Sequence, residues 1–188
     1  MTMLSEKETT RHSKLLSLVL RHEPAHIGIT LDEQGWVAVP ELLAQLAKHQ
    51  QPLTLEQLEH IVETSPKQRF RFSDDRRRIR ASQGHSVGVE LGYPPVAPPE
   101  VLYHGTARQH QENILRDGLR KMARHHVHLS ADLATARAVG QRHGRLVLFE
   151  VAAGLLHRAG QPFYQADNGV WLTDEVPTAY LRQLPEMA

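Results

Sequence analysis

The stretch Gly92-Tyr93-Pro94-Pro95-Val96-Ala97-Pro98-Pro99 divides this sequence of 188 residues into two segments of similar length. Half of the stretch is proline, which lacks an amide donor and has a fixed φ, so it can neither continue a helix nor lie inside a sheet. We therefore predict a proline-rich linker at residues 93–99, between an N-terminal lobe at residues 1–92 and a C-terminal lobe at residues 100–188.

The segment before the linker ends in a predicted β-hairpin. Charged and aromatic residues alternate in Arg69-Phe70-Arg71-Phe72, and the turn residues Ser73-Asp74-Asp75 separate this run from residues 76–80. Three helices are predicted upstream: one with leucines at helical spacing that ends at Pro24, one over residues 41–48 behind Pro40, and one from a Thr54–Gln57 capping box through Glu63. Three helices followed by a hairpin are typical of a winged-helix lobe.

The segment after the linker alternates short β-like runs with helix-like stretches. The β-like runs lie at residues 101–103, 127–129, 146–151 and 170–172. One helix is predicted to end at Gly118 and another to cover residues 132–139. The predicted fold class is therefore α+β, with a winged-helix lobe before the linker and an α+β lobe with a central sheet after it.

Composition narrows the class of protein. Hydrophobic residues make up 40% of the chain and charged residues 23%, which is typical of a globular protein. The chain has no cysteine, so disulfides, thiolate metal sites and cysteine nucleophiles are excluded. No apolar run approaches the ~20 residues that cross a bilayer, and the polar residues 1–11 lack a signal-peptide core, so we expect a cytoplasmic protein. Because the net charge is only +1, any contact with nucleic acid must be local.

Arginines in the N-terminal segment are candidate phosphate ligands. Arg21-His22 is expected at the end of the first helix, where the helix dipole alone favours cations. A guanidinium and an imidazole side by side can also bind a phosphate dianion and supply a proton, and both interpretations stay open. Arg69 and Arg71 are two apart on a predicted strand and so share a face. Such a face favours phosphate contact, although solvated charge is an equally simple interpretation.

The C-terminal segment offers a candidate nucleotide site at Tyr103-His104-Gly105-Thr106. The glycine would let the backbone approach a ligand closely, and His104 and Thr106 offer hydrogen bonds to ribose hydroxyls or a carboxamide. His126 and His128 share a face of a predicted strand and could chelate a metal ion. Because neither an HExxH helix nor a carboxylate partner lies close in sequence, no metal site is predicted.

Taken together, these segments resemble the RNA 2′-phosphotransferase family, whose members act in the final step of tRNA splicing in fungi and occur in many bacteria. Each match is short, but their order along residues 13–172 is specific. The matching stretches are Leu18-Val19-Leu20-Arg21-His22, Ile27-Gly28 with Leu31-Asp32, Gly35-Trp36, Lys67-Gln68-Arg69-Phe70, Ile79-Arg80-Ala81 with Gln83-Gly84-His85-Ser86, Tyr103-His104-Gly105-Thr106, Arg124 with His126-Val127-His128-Leu129-Ser130, and Asn168-Gly169-Val170-Trp171-Leu172.

The resemblance implies an RNA-binding winged-helix lobe at residues 1–92 and an NAD-binding lobe similar to ADP-ribosyltransferases at residues 100–188. In the implied NAD site, His104, His128 and Val170 match a His-His-hydrophobe pattern. Many protein-modifying relatives have a glutamate at the third of these positions, so its absence argues against a protein-modifying toxin. Arg71 departs from the family pattern and leaves open whether it shares the role of Arg69. The implied catalytic residues are Arg21, His22, Arg69 and Arg124, and the implied NAD-binding residues are His104, Gly105, Thr106, His128, Ser130 and Val170.

The implied reaction has two steps and consumes NAD as a co-substrate. The RNA 2′-phosphate displaces nicotinamide from NAD, and the 2″-hydroxyl of the ADP-ribose then attacks phosphorus, which releases RNA with a free 2′-hydroxyl and ADP-ribose 1″,2″-cyclic phosphate. The implied partners are RNA bearing a 2′-phosphate and NAD, with no membrane and a monomeric chain. Two alternatives stay open: an ADP-ribosyltransferase that modifies nucleic-acid phosphates and stops after the first step, and a non-catalytic winged-helix nucleic-acid binder.

Overall fold

The computed structural model describes residues 4–185, which form a mixed α/β protein with several small antiparallel sheets. The chain divides into two compact units, Met1–Gly92 and Tyr93–Ala188, hereafter unit 1 and unit 2. Residues 1–3 and 186–188, which the predicted lobes include, lie outside the described range. The predicted mixture of helices and strands is confirmed. None of the helices in this range is long and apolar enough to cross a bilayer.

Unit 1 contains a run of helices and a short three-stranded antiparallel sheet. The elements are α1 (Glu6–Val19), a 3₁₀ turn (Pro24–Ile27), β1 (Val37–Ala38), α2 (Val39–Lys48), α3 (Leu55–Glu63), β2 (Phe70–Phe72) and β3 (Arg78–Ala81). The strand order is β1-β3-β2, with β3 in the centre. The predicted hairpin is present, and its register pairs Phe72 with Ile79.

Side-chain caps fix the starts of two of these helices. The hydroxyl of Thr54 accepts the amide hydrogen of Gln57 at 3.2 Å, and the Gln57 side chain accepts the amide hydrogen of Thr54 at 3.1 Å, which is the predicted capping box of α3. Ser5 and Glu8 form the same arrangement at the start of α1, which the sequence analysis did not identify. Each cap satisfies amide hydrogens that have no partner within the helix, a contribution of about 1 kcal/mol.

The first helix ends at Val19, earlier than the predicted end at Pro24. The carbonyl of Leu18 accepts the amide hydrogens of His22 and Glu23, each at 2.9 Å. The second bond spans five residues instead of four, so the α-helical pattern stops there. Pro24 instead begins the 3₁₀ turn. Arg21 and His22 therefore lie in the turn after α1 rather than in its last helical turn.

The core of unit 1 is built from buried aliphatic side chains of all three α-helices and of the sheet. Phe70 belongs to this core, with 3% of its surface exposed. The aromatic face of the hairpin is therefore buried, as the alternation of residues 69–72 predicts, and the arginine face is directed away from the core.

Unit 2 contains three small antiparallel sheets among residues 93–185, in place of the single central sheet that was predicted. The elements are β4 (Leu102–Ala107), a 3₁₀ turn (Arg108–His110), α4 (Gln111–Asp117), β5 (Leu119–Arg120), β6 (Val127–Leu129), α5 (Leu133–Gly140), a 3₁₀ turn (Gln141–His143), β7 (Leu146–Val151), α6 (Ala153–Arg158), β8 (Tyr164–Gln165), β9 (Trp171–Thr173), β10 (Glu175–Val176), a 3₁₀ turn (Thr178–Tyr180) and β11 (Leu181–Gln183). The strand orders of the three sheets are β11-β7-β4, β6-β9-β8 and β10-β5.

The first two of these sheets meet at one isolated bridge. Tyr103 and Ser130 exchange both backbone hydrogen bonds, at 2.9 and 2.8 Å. The chain leaves this pairing almost at once, because α5 begins three residues after Ser130 at Leu133. Pairing between β4 and β6 therefore stops at a single pair, and the two sheets stay distinct.

Part of the predicted linker is hydrogen-bonded into unit 2. The amide of Val96 donates to the carbonyl of Phe163 at 2.8 Å, and Pro95 forms an antiparallel bridge with Tyr164. The hydroxyl of Tyr93 donates to the carboxylate of Asp167 at 2.7 Å. A proline-rich segment can lie along the edge of a sheet in this way because its missing amide hydrogens face outward.

Buried His12 makes the stability of unit 1 depend on pH. Its side chain on α1 is 3% exposed, and its Nδ1 has no hydrogen-bond partner among the described residues. Burial, and secondly the charge of Arg11, lowers the pKa of His12 below its ordinary value. The unfolded chain therefore binds a proton near pH 6.5 that the folded chain does not bind, and stability falls as the pH drops below that value.

We expect His12→Gln to weaken this pH dependence. The measurement is urea unfolding at pH 7.5 and 5.5, followed by Trp36 fluorescence in a Trp171→Phe background so that the signal belongs to unit 1. The free energy of unfolding should fall less between pH 7.5 and 5.5 in His12→Gln than in the parent. In the control His49→Gln, where an exposed histidine is replaced, it should fall by the same amount as in the parent. An identical loss in His12→Gln and the parent would contradict the assignment.

Candidate functional site

Three of the predicted catalytic residues come together in unit 1. The Arg21 guanidinium donates to the backbone carbonyl of Arg69 at 3.3 Å. The carbonyl of Arg21 accepts the amide hydrogen of Ser86 at 2.9 Å, and His22 Nδ1 lies 2.9 Å from the hydroxyl of the same serine. The turn after α1 is thus tied both to the residue that precedes β2 and to the loop that follows β3.

Ser86 and Gly84 support this cluster, and neither was assigned a role from the sequence. Ser86 contacts the backbone of Arg21 and the ring of His22, so it fixes the positions of both residues. Gly84 has a φ of +87°, and a Cβ there would lie 3.7 Å from the Arg21 guanidinium. Such a φ favours glycine. The signal available in the sequence was the Gln83-Gly84-His85-Ser86 stretch, which matches the family but has no chemistry of its own.

Arg71 takes part in a second arginine cluster, around the ring of Trp36. Arg71, Arg78 and Arg80 lie 5.8, 5.4 and 4.5 Å from the centre of that ring, within the range of cation–π attraction. Arg71 is also paired with Asp74 at 3.6 Å, and buried Arg80 donates to two backbone carbonyls. These contacts give Arg71 a structural role at the arginine face of the hairpin, whereas the backbone of Arg69 contacts Arg21.

Arg124, His128 and His104 form a chain of hydrogen bonds in unit 2. Arg124 Nη1 lies 2.9 Å from His128 Nδ1. Since a guanidinium can only donate, Nδ1 of His128 accepts, and the hydrogen of the neutral ring is on Nε2. His104 Nδ1 lies 3.0 Å from the carbonyl of His128. A carbonyl can only accept, so His104 carries its hydrogen on Nδ1 and presents Nε2 as an acceptor.

Both imidazoles are therefore held in defined tautomers, and the two tautomers are opposite. Burial lowers the pKa of His104, and the hydrogen bond to the His128 carbonyl acts in the other direction. With burial the larger effect, His104 is neutral at pH 7. The pair thus offers one ring acceptor, on His104, and one ring N–H donor, on His128, which is a set suited to hydroxyl and carboxamide groups.

Gly105 is required by the packing of β4 against α5. A Cβ at Gly105 would overlap the backbone carbonyl of Ala136 in α5. The glycine of the Tyr103-His104-Gly105-Thr106 motif therefore lets β4 and α5 pack closely, a need that the sequence alone does not reveal. Thr106, the next residue, is buried, with 9% of its surface exposed.

We expect Gly105→Ala to lower the stability of the protein. The overlap with a backbone atom can be relieved only by separating β4 from α5, and such overpacking costs about 1–3 kcal/mol. The measurement is the thermal unfolding temperature without ligands. Gly88→Ala is the control, because a Cβ at Gly88 meets no atom within 4 Å, and it should unfold at the parent temperature. Equal unfolding temperatures for Gly105→Ala and the parent would refute the packing argument.

The remaining predicted NAD ligands lie near the same strands. Ser130 follows β6 and is half-buried, with its backbone paired to Tyr103. Val170 lies just before β9, half-buried, and its carbonyl accepts the amide hydrogen of Ala166 at 2.9 Å. Strand β9 in turn pairs with β6, in a register that places Leu172 opposite His128. The predicted NAD ligands of unit 2 thus come from β4, from β6 and from the ends of β6 and β9.

The histidines of residues 125–128 do not form a metal cluster in the described part of the chain. His126 lies against the ring of Tyr164, with 5.5 Å between the ring centres, and His128 is bonded to Arg124. Across residues 4–185 there is no group of three or more histidine, aspartate or glutamate side chains that could hold a metal ion.

Comparison with known proteins identifies the class of the chain. The profile of the RNA 2′-phosphotransferase, Tpt1/KptA family matches residues 7–175. A probable RNA 2′-phosphotransferase of Nostoc punctiforme is 51% identical over 181 residues, which cover 96% of this chain and 100% of the relative. One of Agrobacterium fabrum is 56% identical over 173 residues, covering 92% and 93%, and one of Herpetosiphon aurantiacus is 51% identical over 178 residues, covering 95% and 98%.

These relatives are named as phosphotransferases, so the class is that of a transferase. The chain belongs to the RNA 2′-phosphotransferase family. The resemblance inferred from the ordered motifs is thereby confirmed.

Proposed function

We propose that this protein removes an internal 2′-phosphate from RNA, of the tRNA splice-junction type, and transfers it to the ADP-ribose part of NAD. The products are RNA with a 2′-hydroxyl, nicotinamide and ADP-ribose 1″,2″-cyclic phosphate. One observation carries the proposal: the Arg21–His22 turn and Arg69 are hydrogen-bonded together in unit 1, in a chain about half identical to proteins named RNA 2′-phosphotransferases.

We assign the RNA-binding role to unit 1 and the NAD-binding role to unit 2. The order of three helices and a hairpin supports a winged-helix description of residues 1–92. Unit 2, which begins with the proline-rich segment at residues 93–99, would contain the lobe similar to ADP-ribosyltransferases at residues 100–188. We further propose that the protein acts as a monomer in the cytoplasm.

The residues of unit 2 fit the polar groups of NAD. His104 Nε2 would accept a hydrogen bond and His128 Nε2–H would donate one, so the pair suits the ribose hydroxyls and the carboxamide. Ser130 and Thr106 add hydroxyl groups, Val170 adds an apolar wall, and Gly105 keeps β4 against α5. NAD itself supplies a nicotinamide that leaves from a positively charged ring and therefore needs no acid.

In the first step the protein mainly has to position charge. Arg21, His22 and Arg69 would hold the 2′-phosphate dianion through charge-assisted hydrogen bonds, with its oxygen directed at the anomeric carbon. Because nicotinamide leaves as a neutral molecule from a cationic ring, positioning rather than proton transfer lowers the barrier. The product of this step is RNA that carries ADP-ribose on its 2′-phosphate.

In the second step negative charge develops at phosphorus as the 2″-hydroxyl attacks it. Fixed guanidinium groups stabilise such a transition state, and we assign this role above all to Arg124. His22 would give a proton to the departing 2′-oxygen of the RNA. The charge stabilisation comes from arginine side chains, so we propose a reaction that needs no metal ion.

The test is to mix the protein with NAD and an oligonucleotide that bears one internal 2′-phosphate, and to resolve the products by mass. The expected products are the dephosphorylated oligonucleotide, nicotinamide and ADP-ribose cyclic phosphate, with and without EDTA. A product that stops at ADP-ribosylated RNA would favour a transferase that modifies nucleic-acid phosphates. Phosphate release without NAD, or loss of turnover in EDTA, would contradict the proposal.

A further inference from the structure

A cleft of about 510 Å³ opens beside His22 within unit 1. Its walls come from residues 22–26, residues 29–31 and residues 87–89. The hydrogen bond between His22 and Ser86 joins the first of these walls to the last, since Ser86 directly precedes residue 87. His22 therefore belongs both to the cluster that would hold the 2′-phosphate and to the wall of this cleft.

The lining of the cleft suits a flat aromatic ring with polar edges. Its apolar side is made by Pro24, Ile29, Leu31 and Val89, and the polar groups around it include a carboxylate, an imidazole and a hydroxyl. The volume lies within the range of about 300–1,000 Å³ that small-molecule sites have. RNA-binding proteins stack unstacked bases on aromatic rings, imidazole included, and hydrogen-bond the base edges. Enzymes that bind a flipped base also pack it between apolar side chains.

The charge of the lining disfavours a phosphate group inside the cleft. Glu23 lines the cleft and lies 4.0 Å from the ring of His26, which lines it as well. No arginine or lysine contributes to the lining. A carboxylate repels phosphate oxygens but accepts hydrogen bonds from the exocyclic amino groups of bases, so the cleft suits a base better than a pyrophosphate.

We propose that this cleft binds the nucleobase of the nucleotide that carries the 2′-phosphate. The inference rests on the proposed function, because it takes His22 as a ligand of that phosphate. The base and the 2′-phosphate of one nucleotide are separated by a single ribose, which matches a cleft that begins at His22 itself. Unit 1 thus holds the reacting nucleotide at two points, by its phosphate and by its base.

Gly88 allows the cleft to be filled without disturbing the protein. It lines the cleft, its backbone has no left-handed φ, and a Cβ added to it meets no atom within 4 Å. A leucine at this position would start in open space at the lining of the cleft, where we expect it to compete with the proposed base. Thr10, exposed on α1 in the same unit, offers a matched place to add the same side chain outside the cleft.

The experiment compares two trinucleotides with the same central 2′-phosphate, one with a base on the central ribose and one without. We expect the parent protein to have a kcat/KM about 10-fold or more higher for the substrate with the base, a typical effect of binding one base. Gly88→Leu should reduce that ratio to near one, with Gly88→Ala between, while Thr10→Leu should keep the ratio of the parent. Thermal unfolding of each variant checks the fold.

Two results would overturn the inference. A ratio near one in the parent would mean that the base is not recognised, and an unchanged ratio in folded Gly88→Leu would mean that it is bound elsewhere. Failure of the proposed function is distinct, because the parent would then release no phosphate from either trinucleotide. If Gly88→Leu does not fold, the test rests on Gly88→Ala. A lower ratio of the two kcat/KM values in Gly88→Ala than in the parent supports the inference, and an unchanged ratio overturns it.

Discussion

Replacing Arg21, His22 or Arg69 with alanine is expected to lower kcat/KM for the 2′-phosphorylated oligonucleotide by about 10²-fold or more each. Removal of one preorganised group that stabilises developing charge has an effect of this size. The three residues are linked by the hydrogen bond from Arg21 to the Arg69 carbonyl and by the contacts of Ser86. Because the three side chains would act together on one phosphate, the effects of double substitutions should be less than additive.

Arginines outside this cluster provide the matched controls. Arg77 is exposed next to β3, so Arg77→Ala should cost little beyond a general loss of RNA affinity that salt also produces. Arg71→Ala should mainly affect stability, because Arg71 contacts Trp36 and Asp74. The measurement is steady-state turnover at two salt concentrations. Normal turnover in Arg69→Ala together with an inactive, folded Arg71→Ala would show that the wrong arginine was assigned to the phosphate.

Replacing Arg124 with alanine or lysine is expected to accumulate RNA that carries ADP-ribose on its 2′-phosphate. The first step needs a positioned phosphate and bound NAD, whereas the second also needs charge stabilisation at phosphorus. A substitution that slows the second step more than the first lets the intermediate build up. Lysine keeps the charge but loses the planar, multiply donating guanidinium, so it should rescue the second step only in part.

The hydrogen bond from Arg124 to His128 adds a related expectation. His128→Ala removes the acceptor that orients the Arg124 guanidinium and should also accumulate the intermediate at saturating NAD. His104→Ala removes the neighbouring imidazole without touching Arg124, and should weaken the use of NAD without such accumulation. The measurement is a single-turnover assay with NAD labelled in the adenylate phosphate, in which the intermediate is a slower, labelled RNA band. If no active variant at Arg124 or His128 shows that band above the parent level, Arg124 is not specific to the second step.

Local features of the fold could be predicted from the sequence because nearby residues determine them. The Thr54–Gln57 capping box and the hairpin of residues 69–81 depend on side chains within a few positions of each other. The end of α1 differs from the prediction, because the helical hydrogen-bond pattern stops at the Leu18 carbonyl, several residues before Pro24. The separation of unit 2 into three sheets was missed, because it depends on which distant strands pair, such as the single bridge between Tyr103 and Ser130.

Some residues of the candidate site could be predicted from the sequence, and others could not. The family resemblance implied Arg21, His22, Arg69 and Arg124 as candidates, and the structure brings the first three together in unit 1. Ser86 could not be recognised as their support, since a serine 64 residues from His22 has no local signal. The packing role of Gly105 could not be predicted for a similar reason, because it depends on contact with α5, a helix distant in the chain.

The contact between β4 and α5 has a mechanical consequence. Gly105 and Gly140 face each other, and a Cβ on Gly140 would lie 2.8 Å from backbone atoms of Gly105 and Thr106. No side chain that could change its rotamer separates the two glycines, so a displacement of the strand is transmitted to the helix. We therefore expect a ligand that displaces His104 on β4 to shift α5 as well, and the backbone amides of residues 133–140 to report that shift.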